Sequence, residues 1–231
     1  MAAAELESLW EGVDDQRERT ARLLEGLAPE QWDAPSLCDG WTVRDVAAHL
    51  TLQAQTLGDL LGLVARHPRM WRHPGLNGTI RESARVVAAE LATDEVVARV
   101  RAGIGSRRYN SFVTPLETLT DALVHGQDVA VPLGLPLAMH PGPSALAATR
   151  RWDTRRSWLA SVNRRLPLDG HRLRATDVEW VRGDGPEVAG PVGALLLLLT
   201  GRPAALDRLA GDGAEALRVR LGRPAPTTPA A

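Results

Sequence analysis

The stretch Thr114–Gly134, TPLETLTDALVHGQDVAVPLG, carries both the clearest helix signals in the chain and its most suggestive chemistry. Pro115 suits the first helical turn, where its missing N–H costs nothing, and Thr114 before it is a good N-cap. Pro132 and Gly134 stop the helix, so the spacing predicts one over 115–131. Asp121 and His125 are four residues apart, which puts their Cβ atoms roughly 5–6 Å from each other on one face. A carboxylate and an imidazole so placed can bend onto a single metal ion. Leu116, Leu119, Leu123 and Ala130 form an apolar stripe, with Glu117, Asp121, His125 and Asp128 roughly opposite it. Such a polar stripe usually faces water. This one contains no Arg in an Arg-rich chain, and Val124 and Val129 flank it, which favours the metal reading.

Working outward, residues 3–26 read as an amphipathic helix with Leu6, Leu9, Val13, Leu23 and Leu24 on its apolar side. The segment 28–41, APEQWDAPSLCDGW, reads as an ordered loop packed over a core. A second helix starts at Thr42, which with Asp45 forms an N-cap pair, and Val43, Val46, Ala47, Leu50, Leu57 and Leu61 are its expected stripe. His49 lies about 100° from the centre of that stripe, at the border of the buried face. Ile80–Leu91 and Asp94–Gly103 form a third helical region, and Pro143–Val162 the last helix of the series. After Leu166, HRLRATDVEWV alternates apolar and polar residues, Glu187–Ala189 reads as a short return strand, and Gly193–Thr200 reads as a buried helix. The sequence therefore implies a mainly α protein: a helical bundle over 1–165, a small α+β domain over 166–222 and a disordered tail over 223–231.

The bulk composition narrows the function classes. The chain has 231 residues, 44% hydrophobic and 24% charged, with a net charge of −1, so no global field draws it to nucleic acid or to an anionic membrane. The longest apolar run, Val192–Leu199, falls well short of the roughly 20 residues of a membrane span. The acidic start MAAAELESLWEG lacks the basic region of a signal peptide, and a cytoplasmic location follows as the expectation. One cysteine, Cys38, excludes an intramolecular disulfide and a Cys-based zinc cluster. Its bland role is a small buried residue of the loop. All basic side chains are Arg, which points to a GC-rich genome.

His49 supplies the third donor. With Asp121 and His125 it gives two imidazoles and one carboxylate, leaving a fourth position open, the arrangement of catalytic zinc sites. The N/O donor set suits Zn²⁺ and leaves Fe²⁺ and Ni²⁺ open. Asp45 and Asp128 are candidate acceptors for the outer imidazole N–H groups. The plainer roles, a cap for Asp45 and a solvated helix-end charge for Asp128, carry more weight.

WDAPSLCDGWTVRDVAAHL (32–50) and DALVHGQDVAVPLG (121–134) resemble two signatures of the mycothiol-dependent maleylpyruvate isomerase family, whose N-terminal domain is a DinB-like metal-binding four-helix bundle. The run 173–209, LRATDVEWVRGDGPEVAGPVGALLLLLTGRPAALDRL, resembles the small α+β domain that follows in its actinobacterial members. The resemblance implies that His49, Asp121 and His125 hold the metal. Asp121 stands where the founding activity uses Glu, one methylene longer. It further implies mycothiol as a thiol co-substrate, deprotonated at the open metal position and adding to an electrophilic small molecule in cis–trans isomerisation or thiol transfer. A basic residue of the small domain near the thiol is also implied, and Arg202 is the candidate, against a plainer role as a helix C-terminal charge. The alternative from another class is a non-catalytic module of the same fold that binds a metal or small ligand. Oligomeric state is not readable from the sequence.

Overall fold

The computed structural model describes residues 3–68, 70, 75–110, 113–156 and 166–223. They divide into two units, Met1–Ala138 and Met139–Ala231. The architecture is mainly helical with a small three-stranded sheet in the second unit, the class to which the sequence leads.

The first unit contains α1 (Ala3–Glu25), α2 (Val43–Leu50), α3 (Leu57–Arg66), α4 (Leu76–Glu90), α5 (Thr93–Ala102) and α6 (Pro115–Ala130). Helix α6 packs on α1 and α2, and α2 packs in turn on α4 and α5. Val43, Val46, Ala47 and Leu50 of α2 are buried together with Trp32, Trp41, Ala84, Val87 and Val96. Each fully buried valine or leucine of such a stripe is worth roughly 1.5–3 kcal/mol, so burial of this one face fixes the rotation of α2.

The second helix does not run through to Leu61 as the spacing suggests. It ends at Leu50, and α3 restarts at Thr56, whose hydroxyl accepts from the Asp59 N–H while the Asp59 carboxylate accepts from the Thr56 N–H at 2.8 Å. A second capping box, worth about 1 kcal/mol, sets a new axis. Leu57 and Leu61 consequently leave the α2 stripe and are 49% and 58% exposed.

Helix α6 begins as its sequence implies, with Pro115 in the first turn and the Glu117 carboxylate accepting from the Thr114 N–H at 3.0 Å. It is not a half-wet helix. Leu119, Ala122, Leu123, Val124, Gly126, Gln127, Asp128 and Val129 are all buried, because α1 and α2 both pack on it. Gly126 allows the approach of α1: a Cβ there would lie 2.8 Å from Leu137 Cδ2 and 2.9 Å from Thr20 Oγ1.

In the second unit, β1 (Arg172–Ala175) lies between β2 (Val181–Arg182) and β3 (Glu187–Gly190). It pairs antiparallel with β2, Leu173 opposite Arg182, and parallel with β3, Leu173 opposite Val188. Helix α7 (Pro141–Thr154) packs on the leucine-rich α8 (Val192–Leu199), and the short helix α9 (Asp212–Arg220) packs on β3. The division between units falls at 138/139, whereas the sequence reading put α7 with the bundle and the boundary at 165/166. The reason lies in α7: it turns buried Ser144, Ala147 and Ala148 inward, and its Thr149 hydroxyl accepts from the Trp180 indole N–H at 2.9 Å. The end of the expected helix at Val162 and the tail after Arg223 lie outside the described residues.

Gly126→Ala tests the α1–α6 approach. The alanine adds about 1 kcal/mol of helix propensity, less than the roughly 1–3 kcal/mol of overpacking, so the midpoint of urea unfolding should fall. A midpoint equal to or above wild type would show that α6 has room.

Candidate metal centre

The site assembles on two helices whose starts are fixed locally. Thr42 caps α2: its hydroxyl accepts from the Asp45 N–H at 3.2 Å, and the Asp45 carboxylate accepts from the Thr42 N–H at 2.9 Å. Asp45 is thereby a capping residue, the plainer of its two readings. One turn further on, His49 leaves α2 at the edge of the buried stripe and faces α6.

Three donor atoms converge there. Asp121 Oδ1 lies 3.3 Å from His49 Nε2 and 3.1 Å from His125 Nε2. The three atoms all lie within 4.8 Å of one another. Tetrahedral zinc with bonds of 2.0–2.1 Å keeps its donors about 3.3–3.4 Å apart, so the 3.3 Å separation matches a ligation edge and the 3.1 Å one is slightly shorter. The side chains of His49, Asp121 and His125 are 17%, 29% and 14% exposed, which walls the donors while leaving solvent access. The two imidazole rings meet edge to face at 4.7 Å, and Trp41 backs both, its ring centre 5.4 Å from His49 and 6.3 Å from His125. These are the three candidate ligands expected from the sequence, and the structure brings their side chains together.

A further layer of side chains stands behind them. Asp128 is fully buried, not a solvated end charge, because the loop before α2 covers the end of α6 and Leu37 donates its N–H to the Asp128 carbonyl at 3.1 Å. The Asp128 carboxylate lies 2.8 Å from His125 Nδ1, and Cys38 donates its S–H to the same Oδ2 at 3.1 Å. A carboxylate on Nδ1 fixes that nitrogen as the protonated one and aims Nε2 at the metal position. Gln53, four residues after His49, donates from Nε2 to Asp121 Oδ2 at 2.8 Å.

The electrostatics describe the metal-free state. Burial pushes the Asp121 carboxyl up, but the charges of His125 and His49 and their hydrogen bonds outweigh it and hold the group well below its ordinary value of 3.8. Burial pushes His125 down, yet the Asp121 charge and the hydrogen bonds that His125 makes with Asp121, Asp128 and Cys38 hold it well above 6.5. Without a metal, the balance at His125 therefore favours its protonated form, with Asp121 on Nε2 and Asp128 on Nδ1. A metal ion on Nε2 must displace that proton.

Cys38, His125 and Asp128 form a second group of possible ligands. It competes for the same imidazole through Nδ1, 3.8 Å from Cys38 Sγ. The first group offers two aligned imidazole nitrogens and solvent access; the second has one imidazole and a carboxylate already accepting from two donors. The first is the better metal site. Arg202 belongs to the second unit, where it is buried and donates from Nη1 to the Thr200 carbonyl at 2.6 Å, just past the end of α8.

Residues 13–110 match the family profile described as the mycothiol maleylpyruvate isomerase N-terminal domain. The match lies within the first unit and covers less than half of the chain. The match contains His49 but ends before α6, so the placement of Asp121 and His125 in the site rests on geometry. Two solved structures resemble the chain: the mycothiol-dependent maleylpyruvate isomerase and a histidine-to-alanine variant of it. Each is 14% identical, with 90% of this chain and 92% of the other covered and a TM-score of 0.55. At that identity the likeness is one of fold. No curated protein matches the sequence. No helix among the described residues is long and apolar enough to cross a membrane.

Elemental analysis of the purified protein should find about one zinc per chain, lost in His49→Ala and His125→Ala and kept in Cys38→Ala. Loss in Cys38→Ala with retention in His49→Ala would move the metal to the second group. Affinity should also rise with pH, by up to about tenfold per unit while His125 is protonated, since one proton leaves as the metal binds. In the metal-free protein the raised His125 contributes stability that is full below 6.5 and lost as pH rises through its folded value. The lowered Asp121 contributes stability that is full above 3.8 and lost as pH falls through its folded value. Chemical unfolding of the metal-free protein should accordingly show the pair's full contribution between those two values; a profile flat from pH 4 to 9 would remove the pair from the stability balance.

Proposed function

We infer that the protein is a divalent-metal enzyme that uses a low-molecular-weight thiol, mycothiol, as nucleophile toward an electrophilic small molecule, in cis–trans isomerisation or thiol transfer. The observation that carries this reading is the single carboxylate oxygen, Asp121 Oδ1, shared at 3.1 and 3.3 Å by two histidine Nε2 atoms. Three protein donors leave a fourth place for an exchangeable ligand, which is what catalysis requires and a structural site lacks. The domain family supports the choice of thiol.

His49, Asp121 and His125 would hold the metal, Zn²⁺ by donor type, which would supply the acidity that turns a coordinating thiol into a thiolate at neutral pH. The residues around it do the rest. Asp128 holds the Nδ1 proton of His125, so the imidazole binds as a neutral ligand with Nε2 free. Trp41 shields the rings of both histidines on one side, which keeps their orientation and excludes water there. Cys38 is not assigned as the nucleophile, because its thiol is engaged with Asp128 behind His125. Arg202 remains the proposed thiol-binding cation of the small domain, although its donation to the Thr200 carbonyl equally serves to cap α8.

The test is thermal. Mycothiol at about 100 times its Kd should add roughly 2.7 kcal/mol to the metal-loaded protein, on the order of 5–10 °C in Tm. S-methylated mycothiol should have no such effect. An equal shift in metal-free protein, or none in the loaded form at millimolar thiol, would sink the thiol-dependent reading.

A further inference from the structure

Asp121 has two oxygens, and only Oδ1 faces the histidines. The other is held from outside the ligand set. Gln53 donates to Oδ2 at 2.8 Å, and its own amide is held in turn: Arg17 donates from Nε at 3.1 Å and from Nη2 at 3.0 Å to Gln53 Oε1. A guanidinium has donors only, so the amide oxygen must face Arg17 and the NH₂ must face Asp121. Arg17 is buried, with 5% of its surface exposed, and its Nη1 is anchored on the Gly103 carbonyl at 2.6 Å and more weakly on Ser106 at 3.4 Å. The line of contacts thus starts on backbone, passes through a fixed cation and a fixed amide, and ends on one carboxylate oxygen.

The placement of Gln53 is itself built. After α2 ends, Leu52 donates its N–H to the His49 carbonyl at 2.9 Å and Gln55 donates to Leu52 at 3.0 Å, which keeps one more helix-like turn. Gln53 follows His49 by four residues on that turn, as His125 follows Asp121 on α6. Two four-residue pairs therefore face each other, three of their members being metal donors and the fourth a hydrogen-bond donor.

We propose that Gln53, aligned by Arg17, is a positioning residue of the metal centre: it ties down Asp121 Oδ2 so that Asp121 ligates through Oδ1 alone. The proposal rests on the metal reading above. Its physical content is coordination number. A carboxylate released from Gln53 is free to turn and offer both oxygens, which fills the place that an exchangeable ligand needs. Removal of outer hydrogen-bond partners of this kind also lowers metal affinity by about 10–100-fold.

Co²⁺ titration of the metal-free full chain reads both effects, because four-coordinate cobalt absorbs far more strongly in the visible than five- or six-coordinate cobalt. Wild type should bind Co²⁺ with the intense bands of four-coordination. Gln53→Met, similar in volume but without the N–H, and Gln53→Asn, too short to span Arg17 and Asp121, should bind about 10–100-fold more weakly with reduced band intensity. Their metal-free melting curves report folding separately, and a variant that folds as wild type does while losing band intensity cannot be explained by a structural role. Unchanged affinity and spectrum in both variants, beside a wild type that binds, would overturn the positioning role and leave the metal site standing. A wild type that takes up no Co²⁺ would overturn the metal reading itself.

Discussion

One carboxylate oxygen organises the first unit's chemistry. Asp121 Oδ1 is the atom toward which His49 from one helix and His125 from its own helix both turn. Placing a carboxylate in a half-buried cleft is costly unless cations or donors surround it. The chain meets that demand from every side: two imidazoles on Oδ1 and an amide on Oδ2. The packing of α6 on α2 brings Asp121 within reach of His49 and Gln53.

Spacing and periodicity put forward the three residues, His49, Asp121 and His125, whose side-chain atoms the structure brings together. Asp121 and His125 declare themselves by a four-residue interval, and His49 by its angle from the valine–leucine stripe of α2. The burial of α6 was less legible, since its polar stripe reads as a wet face until α2 is placed against it. Asp128 was misjudged for the same reason: its burial comes from a loop residue, Leu37, far away in sequence. Gln53 escaped because an amide has no motif of its own, and its role appears only when Arg17 and Asp121 are seen on either side of it.

The helix boundaries give a parallel lesson. A continuous apolar stripe from Val43 to Leu61 suggested one helix, yet the Thr56–Asp59 capping box breaks it after Leu50 and exposes Leu57 and Leu61. Local hydrogen bonds outweighed periodicity because the two leucines find nothing to bury against among the described residues. In the second unit the opposite holds: α7 carries weak local signals, and its grouping with the sheet is set by contacts with α8 and Trp180 that span 30 residues or more.

That the cation behind Gln53 is an arginine has a consequence of its own. A lysine in such a dry position would shed its proton readily, whereas a guanidinium stays charged even where burial lowers its pKa, as it does for Arg17. The outer support of Asp121 is therefore constant across the whole range in which proteins are handled. The shifted groups at the centre are His125 and Asp121, so a titration of the cleft records this pair and not the scaffold behind it.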